Sequence, residues 1–295
     1  MKVGVIGLGS MGLGSALNLA TKGHAVFGCD IRDSAFAELQ AAGGHCVLAP
    51  EALPDGLDAL IVFVVNSVQA EGVLTAALPR VAAGGVVLCC TTLSPDVAKV
   101  LGARVEAAGV LYLDAPVSGG STGARGGSMT VMGSGSAAAF ERAAPVLEAI
   151  AGKVWRLGDA VGAGSTVKMI NQLLAGVHIA VSGEAMALAI RAGADPQTVY
   201  DVITTSAGNS WMFQNRVPHV LAGDDTPHSA VNIFVKDLGI VLDQARALGF
   251  PLPLAAAAHQ LFLAAAAMGH GGRDDAFVIR VWEALAGIAL PKGTA

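Results

Sequence analysis

The sequence predicts a two-domain protein, in which an α/β domain with a parallel sheet precedes an all-helical domain. Short apolar runs alternate with helical patterns up to about residue 160, and no strand pattern recurs after that point. Residues 164–191 contain no proline and predict one long helix that joins the two domains. The length of 295 residues also suits about two domains.

Residues 3–32 hold the most informative motif. An apolar run leads into Gly7-x-Gly9-x-x-Gly12, then an amphipathic stretch and a second apolar run that ends at Asp30. This order of strand, glycine turn, helix, strand and acid is typical of a dinucleotide-binding unit. The helix start would offer backbone N–H groups to a pyrophosphate. Because the chain holds 38 glycines, the flanking elements carry the prediction, and a glycine-rich turn that binds nothing is the alternative.

The remaining apolar runs extend the first domain to residues 1–162. The predicted strands are 3–6, 25–29, 59–65, 85–90 and 110–113, and the helices between them are 10–22, 34–42, 68–77 and 95–108. Such alternation indicates a parallel sheet with helices on both faces. Two further strands, 128–133 and 153–157, flank a helix at 136–150 and complete a Rossmann-type domain.

The second domain, predicted for residues 163–295, is helical throughout. After the long helix, segments bounded by Gly, Pro or Asp predict helices at 196–205, 209–221, 229–248, 253–268 and 273–289. The charge-free segments 169–183 and 247–272 contain amides, histidines or prolines, so neither predicts a transmembrane helix.

The composition narrows the partners and the compartment. The chain is 53% hydrophobic and only 14% charged, which predicts a homodimer or homotetramer that covers apolar surface. A net charge of −5 without any basic cluster argues against nucleic acid as a partner. Four cysteines without metal or redox spacing predict free thiols and a reducing, cytoplasmic location. The scattered histidines predict no metal site.

Polar residues follow the predicted strands where a ligand would bind an open α/β sheet. They are Asn66 after the third strand, Thr92 after the fourth, and Ser118-Gly119-Gly120 after the fifth. A hydroxyl followed by two glycines exposes backbone N–H groups that suit a carboxylate, although an ordinary turn has the same composition.

Lys168, Asn171 and Gln172 share one face of the long helix, at a spacing of three and four residues. We expect them to face a cleft between the domains. A lysine in such a cleft can exchange a proton with a substrate hydroxyl, whereas a solvated surface lysine is the ordinary alternative.

These motifs together resemble the β-hydroxyacid dehydrogenases, the group of 3-hydroxyisobutyrate dehydrogenase and tartronate semialdehyde reductase. Nearly the whole chain takes part in the resemblance. Its parts are Gly7-Leu8-Gly9-Ser10-Met11-Gly12, the DAPVSGG motif at 114–120, the glycines 162 and 164 before Lys168 and Asn171, and Lys236-Asp237 after Phe234. The departure is Gln172, where many members have asparagine.

The resemblance implies an oxidoreductase and assigns roles. Lys168 is the implied acid–base on the substrate hydroxyl, Ser118, Gly119 and Gly120 anchor the substrate carboxylate, and Asn171 with Gln172 orients the substrate. Thr92 and Lys236 are implied contacts near the nicotinamide half of the cofactor. Asn66 is a further candidate cofactor residue because of its position after the third strand. A relative that binds a dinucleotide without turnover is the non-enzymatic alternative.

Asp30 favours NAD over NADP, because a carboxylate accepts hydrogen bonds from a free ribose and repels a 2′-phosphate. Arg32 is the complication, since an arginine nearby can bind that phosphate.

For the substrate, residues 206–218 are similar to members that oxidise L-threonate, a four-carbon sugar acid. Asn209, Ser210 and Arg216 are more polar than an isobutyrate needs. 3-Hydroxyisobutyrate and tartronate semialdehyde are the alternatives.

Overall fold

The structure is a computed structural model and describes residues 1–291. The chain forms two compact units, Met1–Met169 and Ile170–Ala295, and the boundary falls within one long helix. The domain boundary expected near residue 162 stays a prediction.

The first unit contains a six-stranded parallel sheet. Its elements are β1 (Lys2–Ile6), α1 (Ser10–Thr21), β2 (Ala25–Cys29), α2 (Phe36–Ala41), β3 (His45–Val47), β4 (Leu57–Val62), α3 (Ser67–Ala77), β5 (Val81–Cys89), α4 (Pro95–Ala107) and β6 (Leu111–Asp114). The strand order is β3-β2-β1-β4-β5-β6 and all pairs are parallel. The chain therefore leaves β1 in one direction and returns beside it at β4, which makes the β1/β4 junction the topological switch point.

Both faces of this sheet are covered, as the apolar runs predict. Val3 and Val5 of β1 belong to one core cluster, whereas Ile6 belongs to a second cluster on the other face. Ile61 and Val62 of β4 alternate in the same way, because successive side chains of a strand point to opposite faces.

The two strands expected near residues 130 and 155 exist, but in a separate sheet. This sheet holds β7 (Val117–Ser118), β8 (Met129–Gly133) and β9 (Ala151–Arg156) in that order, with α5 (Gly120–Arg125) and α6 (Ala137–Ile150) between them. β7 pairs antiparallel with β8, and β8 pairs parallel with β9. The sequence did not reveal β3, β7 or α5, because each is too short to show a period.

The long helix α7 (Ala163–Arg191) begins one residue before its predicted start. The helical unit continues with α8 (Pro196–Thr204), α9 (Trp211–Ala222), α10 (Val231–Ala247), α11 (Pro253–Ala265) and α12 (Arg280–Ala286). The predicted helix 253–268 leaves α geometry earlier, in a π turn at Ala266–His270, where Gly269 has a φ of 92°. The predicted helix 273–289 is a 3₁₀ turn at Asp275–Ile279 followed by α12.

Within the described residues, α7 is the one helix long and apolar enough to cross a membrane by length and composition alone. Core helices of soluble proteins meet the same criteria. Ala175, Ile179 and Ala180 lie in the apolar core of the helical unit, which makes α7 a core helix of that unit.

All four cysteines are free thiols, as expected, and Cys29, Cys89 and Cys90 are buried. Burial raises the pKa of the Cys89 thiol to about 11, so this group stays protonated near neutral pH.

Candidate active site

The predicted ligand-binding residues of the first unit gather at one edge of the six-stranded sheet. Asp30 follows β2, Asn66 follows β4, Thr92 follows β5 and Ser118 follows β6 after a short connection. Because the strands are parallel, their carboxyl ends meet at this edge, where ligands of such sheets bind.

The glycine turn between β1 and α1 contains glycines with different duties. Gly7 has a φ of 89°, and a Cβ there would overlap the Phe63 carbonyl oxygen. A Cβ on Gly12 would overlap the carbonyl oxygen of Gly7. Both glycines are thus required by the fold itself.

Gly9 is different, because nothing within the described protein requires a glycine there. Its φ is −70°, and a Cβ on it would meet no protein atom within 4 Å. Gly9 caps the N-terminus of α1, and Ser10 beside it is exposed. The open space above a helix N-terminus fits the pyrophosphate of a dinucleotide, which needs close access to the backbone.

Two backbone hydrogen bonds hold the Asp30 carboxylate in place, one of them from the glycine turn. Its Oδ2 accepts the backbone N–H of Leu8 at 2.8 Å, and its Oδ1 accepts the N–H of Arg32 at 2.9 Å. The Arg32 guanidinium lies 3.9 Å from Oδ1, and its side chain is 74% exposed. The carboxylate is therefore fixed beside the glycine turn, whereas Arg32 lies mostly in solvent.

Asn66 has a local structural role. Its Oδ1 accepts the Gln69 N–H at 2.9 Å at the start of α3, and the Gln69 side chain accepts the Val65 N–H. This reciprocal cap explains an asparagine here without a cofactor. Thr92 is half-buried in the loop between β5 and α4.

The Ser118-Gly119-Gly120 segment passes from β7 into α5 and has the positive φ values that glycines allow, 129° and 61°. Helix α5 is hydrogen-bonded to α1, the helix that follows the glycine turn. The Asn18 side-chain amide of α1 donates to the carbonyl oxygens of Ala124 at 2.7 Å and Arg125 at 3.2 Å. The expected carboxylate anchor is thereby tied to α1.

Gly14 allows this contact, and we expect Gly14→Ala to lower the free energy of unfolding by about 1–3 kcal/mol. The added Cβ would lie 2.7 Å from the Ala124 carbonyl carbon and the Arg125 nitrogen, and backbone atoms cannot rotate away. Urea denaturation measures the change. The matched control is Gly72→Ala on exposed α3, where no atom lies within 4 Å and alanine should stabilise by about 0.5–1 kcal/mol. Equal stability of the Gly14 and Gly72 variants would contradict a close α1–α5 contact.

Lys168 lies in the second turn of α7 and is only 7% exposed. The solvated-lysine alternative is therefore wrong for this chain. Lysine is rarely buried unless it is paired, and some buried lysines exchange protons in catalysis.

Asn171, Gln172 and Lys236 take part in one hydrogen-bonded chain of the helical unit. The Asn171 amide donates to the Gln172 carbonyl oxygen at 3.0 Å, and the Gln172 amide donates to the buried Asp237. The Lys236 ammonium lies 2.7 Å from the other oxygen of Asp237. Gln172 thus connects Asn171 to Asp237, and its expected contact with substrate stays a prediction.

The polar residues near 210 have partners within the protein. The Ser210 hydroxyl accepts the Phe213 N–H and caps α9, and the Asn209 amide donates to the Thr204 carbonyl. The Arg216 guanidinium makes two hydrogen bonds to the buried Asp275 carboxylate, at 2.5 and 3.2 Å. These contacts account for the polarity of Ser210 and Arg216 without a substrate, whereas the buried side-chain oxygen of Asn209 has no hydrogen-bond partner within the described residues. A contact of these residues with a polyhydroxylated substrate stays a prediction.

Comparison with known proteins gives concordant matches. Residues 2–158 match the family described as the NAD binding domain of 6-phosphogluconate dehydrogenase, and residues 162–282 match the one described as NAD-binding of NADP-dependent 3-hydroxyisobutyrate dehydrogenase. The chain is 55% identical to L-threonate dehydrogenase of Cupriavidus necator, over 98% of this chain and 97% of that protein. It is 51% identical to L-threonate dehydrogenase of Escherichia coli K12, over 98% and 96%.

A solved structure is also similar over nearly its full length. It is described as 3-hydroxyisobutyrate dehydrogenase from Salmonella typhimurium, with a TM-score of 0.91 and 49% identity. The match covers 95% of this chain and 99% of that one.

The Rossmann-type unit, the helical unit and these matches define an NAD(P)-dependent oxidoreductase that acts on CH–OH groups. Within that class, the chain belongs to the β-hydroxyacid dehydrogenase family, in its 3-hydroxyisobutyrate dehydrogenase-like group. The non-enzymatic alternative is set aside by the full-length similarity to dehydrogenases.

Proposed function

We propose that this protein oxidises L-threonate with NAD. The proposed substrate rests on the similarity to a set of L-threonate dehydrogenases, which are 47–55% identical to this chain over 98% of its length. Identity falls to 33% for a 2-(hydroxymethyl)glutarate dehydrogenase from Eubacterium barkeri.

In the proposed reaction, the nicotinamide of the bound cofactor supplies the hydride acceptor. Lys168, in its neutral form, takes the proton of the substrate hydroxyl as the hydride leaves the same carbon. The Ser118 hydroxyl and the N–H groups of Gly119 and Gly120 bind the substrate carboxylate, and the Asn171 amide orients the substrate. In the reverse direction, the protonated Lys168 donates the proton to the carbonyl oxygen.

Cofactor binding in this proposal uses the edge of the sheet. Gly7 to Gly12 would hold the pyrophosphate, and Asp30 would accept hydrogen bonds from the adenosine ribose. Thr92 and Lys236 would contact the nicotinamide half, and Asn66 is a further proposed cofactor residue. We propose NAD rather than NADP because the Asp30 carboxylate is fixed at the turn, where a 2′-phosphate would meet a like charge. Arg32, mostly in solvent, is the residue that could favour NADP.

The second candidate is 3-hydroxyisobutyrate dehydrogenase activity. It is supported by the Salmonella structure of that description, which matches at 49% identity. Reduction of tartronate semialdehyde is a hydride transfer of the same kind, and the substrate screen described next includes it as a third candidate.

The test is a substrate screen with the purified protein, in which NADH or NADPH absorbance is followed. We expect kcat/KM for L-threonate with NAD to exceed that for 3-hydroxyisobutyrate and for the diastereomer L-erythronate by tenfold or more. We expect NADP to be poorer than NAD by a similar factor. A higher kcat/KM for 3-hydroxyisobutyrate would favour the second candidate, and failure to turn over any of these acids would refute both.

We also propose a homodimer or homotetramer in the cytoplasm, without nucleic-acid or membrane partners. Large apolar side chains of α7, Ile170, Leu174, Val181 and Leu188, are each at least half exposed, which suits a covered interface between copies. Four free thiols suit a reducing compartment.

A further inference from the structure

The first turn of α7 has a cap that comes from a distant strand. Helix N-termini leave N–H groups without helical partners, and the side chain of the residue before the helix normally accepts one of them. Here that residue is Gly162, whose carbonyl oxygen accepts the first helical bond from Thr166 at 2.9 Å but which has no side chain. The acceptor must therefore come from elsewhere.

The carboxylate of Asp114, at the end of β6, fills this position. Its Oδ2 accepts the N–H groups of Gly162 at 3.1 Å and Ser165 at 2.9 Å, together with the Ser134 hydroxyl at 3.1 Å. Its Oδ1 accepts the Ser165 hydroxyl at 2.7 Å. The Ser134 oxygen in turn accepts the Gly164 N–H at 2.9 Å.

Asp114 is fully engaged by these four donors and is only 1% exposed. Burial raises its pKa, and the hydrogen bonds from Ser165, Ser134 and Gly162 oppose that rise. The Asp114 side chain is therefore inaccessible to substrate and cofactor. We infer that it acts by holding the start of α7 in place.

Asp114 itself is rigidly placed. Its backbone N–H and carbonyl pair with Ser134 at 3.0 and 2.8 Å, where the end of β6 meets the end of β8. A Cβ on Gly164 would overlap the Met132 carbonyl oxygen, so only glycine lets the helix start approach this junction. The cap therefore fixes α7 against strands of both sheets within the first unit.

We propose that Asp114 is the positioning residue for Lys168, which rests on the proposed acid–base role of that lysine. Lys168 follows Ser165 by three residues and lies above it on the same helix face. The Asp114 cap fixes the axial position and the rotation of the first turns of α7, and therefore the position of the Lys168 amine. Gly162, Gly164 and Ser165 thus act together with Asp114 of the DAPVSGG motif to position Lys168.

The test compares Asp114→Ala with Asp114→Asn and Ser165→Ala. Alanine removes all four acceptor contacts, and we expect kcat to fall about 10²-fold with cofactor affinity unchanged. Asparagine can rescue, because its amide oxygen can accept at the Oδ2 position while its NH₂ donates to the Ser165 oxygen. We expect Asp114→Asn to stay within about fivefold of the wild type, and Ser165→Ala to lose about threefold.

Two readouts separate positioning from general stability. The pH midpoint of kcat should move in Asp114→Ala, and hydrogen exchange should accelerate in residues 162–169 but not elsewhere. The matched control is Asp274→Ala, which removes another buried capping carboxylate that accepts the N–H groups of His228 and Ala276. This control should lower the melting temperature while kcat per folded molecule and its pH midpoint stay unchanged.

Several outcomes would overturn the proposal. Full kcat in folded Asp114→Ala would do so, as would a loss in Asp274→Ala as large as that in Asp114→Ala. If Asp114→Ala does not fold, the proposal is overturned when Ser165→Ala shows an unchanged kcat and unchanged hydrogen exchange in residues 162–169. Substitution of Lys168 tests the proposed function separately: if that variant loses turnover while Asp114→Ala keeps it, only the positioning inference fails.

Discussion

Replacing Lys168 by glutamine should lower kcat about 10²–10⁴-fold while cofactor affinity stays within about twofold of the wild type. The side chain is buried and carries a proton-exchanging group that glutamine lacks. Lys168→Arg makes the test sharper, because arginine keeps the positive charge but cannot release a proton near neutral pH. Steady-state kinetics with the best acid of the screen and fluorescence titration with the cofactor measure both quantities.

The matched control is Lys153→Gln on exposed β9, which should leave kcat unchanged. Full turnover in Lys168→Gln would remove this lysine from the mechanism. Full turnover in Lys168→Arg alone would show that Lys168 acts through its charge and not as an acid–base.

Gly9→Ala and Gly12→Ala should separate ligand binding from folding, although the two glycines are three residues apart. Alanine at position 9 meets no protein atom and has an ordinary φ, so we expect an unchanged melting temperature and cofactor affinity weakened about tenfold or more. Alanine at position 12 overlaps the Gly7 carbonyl, and we expect the free energy of unfolding to fall by about 3 kcal/mol or more.

Thermal melts and cofactor titration measure the two effects. If Gly9→Ala keeps full cofactor affinity, the pyrophosphate does not bind over this turn. If Gly12→Ala is as stable as the wild type, the close approach of α1 to β1 is not a requirement of the fold.

The sequence predicted those parts of the fold whose signal is local and periodic. The βαβ unit around Gly7–Gly12 and the long α7 helix were predicted to within a residue or two, because their apolar spacing repeats over many positions. The sequence did not show that the strands near residues 130 and 155 form a sheet of their own. Its first strand, Val117–Ser118, is two residues long, and pairing direction leaves no trace in composition.

The sequence indicated candidate site residues one at a time, and their roles stay predictions, but it could not indicate the contacts among them. Arg216 pairs with Asp275, 59 positions away, and Ser165 bonds to Asp114, 51 positions away. Pairs so distant have no spacing rule that one sequence can reveal. In the sequence, Asp114 stood out only as part of the DAPVSGG motif. Its burial at the start of α7 is what led to the proposed positioning role.

The double attachment of Asp30 limits how cofactor preference can evolve in this chain. A substitution that removed the negative charge to admit a 2′-phosphate would, in most cases, also remove the acceptor of the Leu8 N–H, which lies within the turn proposed to bind the pyrophosphate. A single mutation toward NADP would then disturb the shared binding of the pyrophosphate. Most single substitutions of Asp30 should therefore weaken the binding of either nucleotide, and only a neutral residue that keeps an acceptor oxygen, such as asparagine, would avoid this loss.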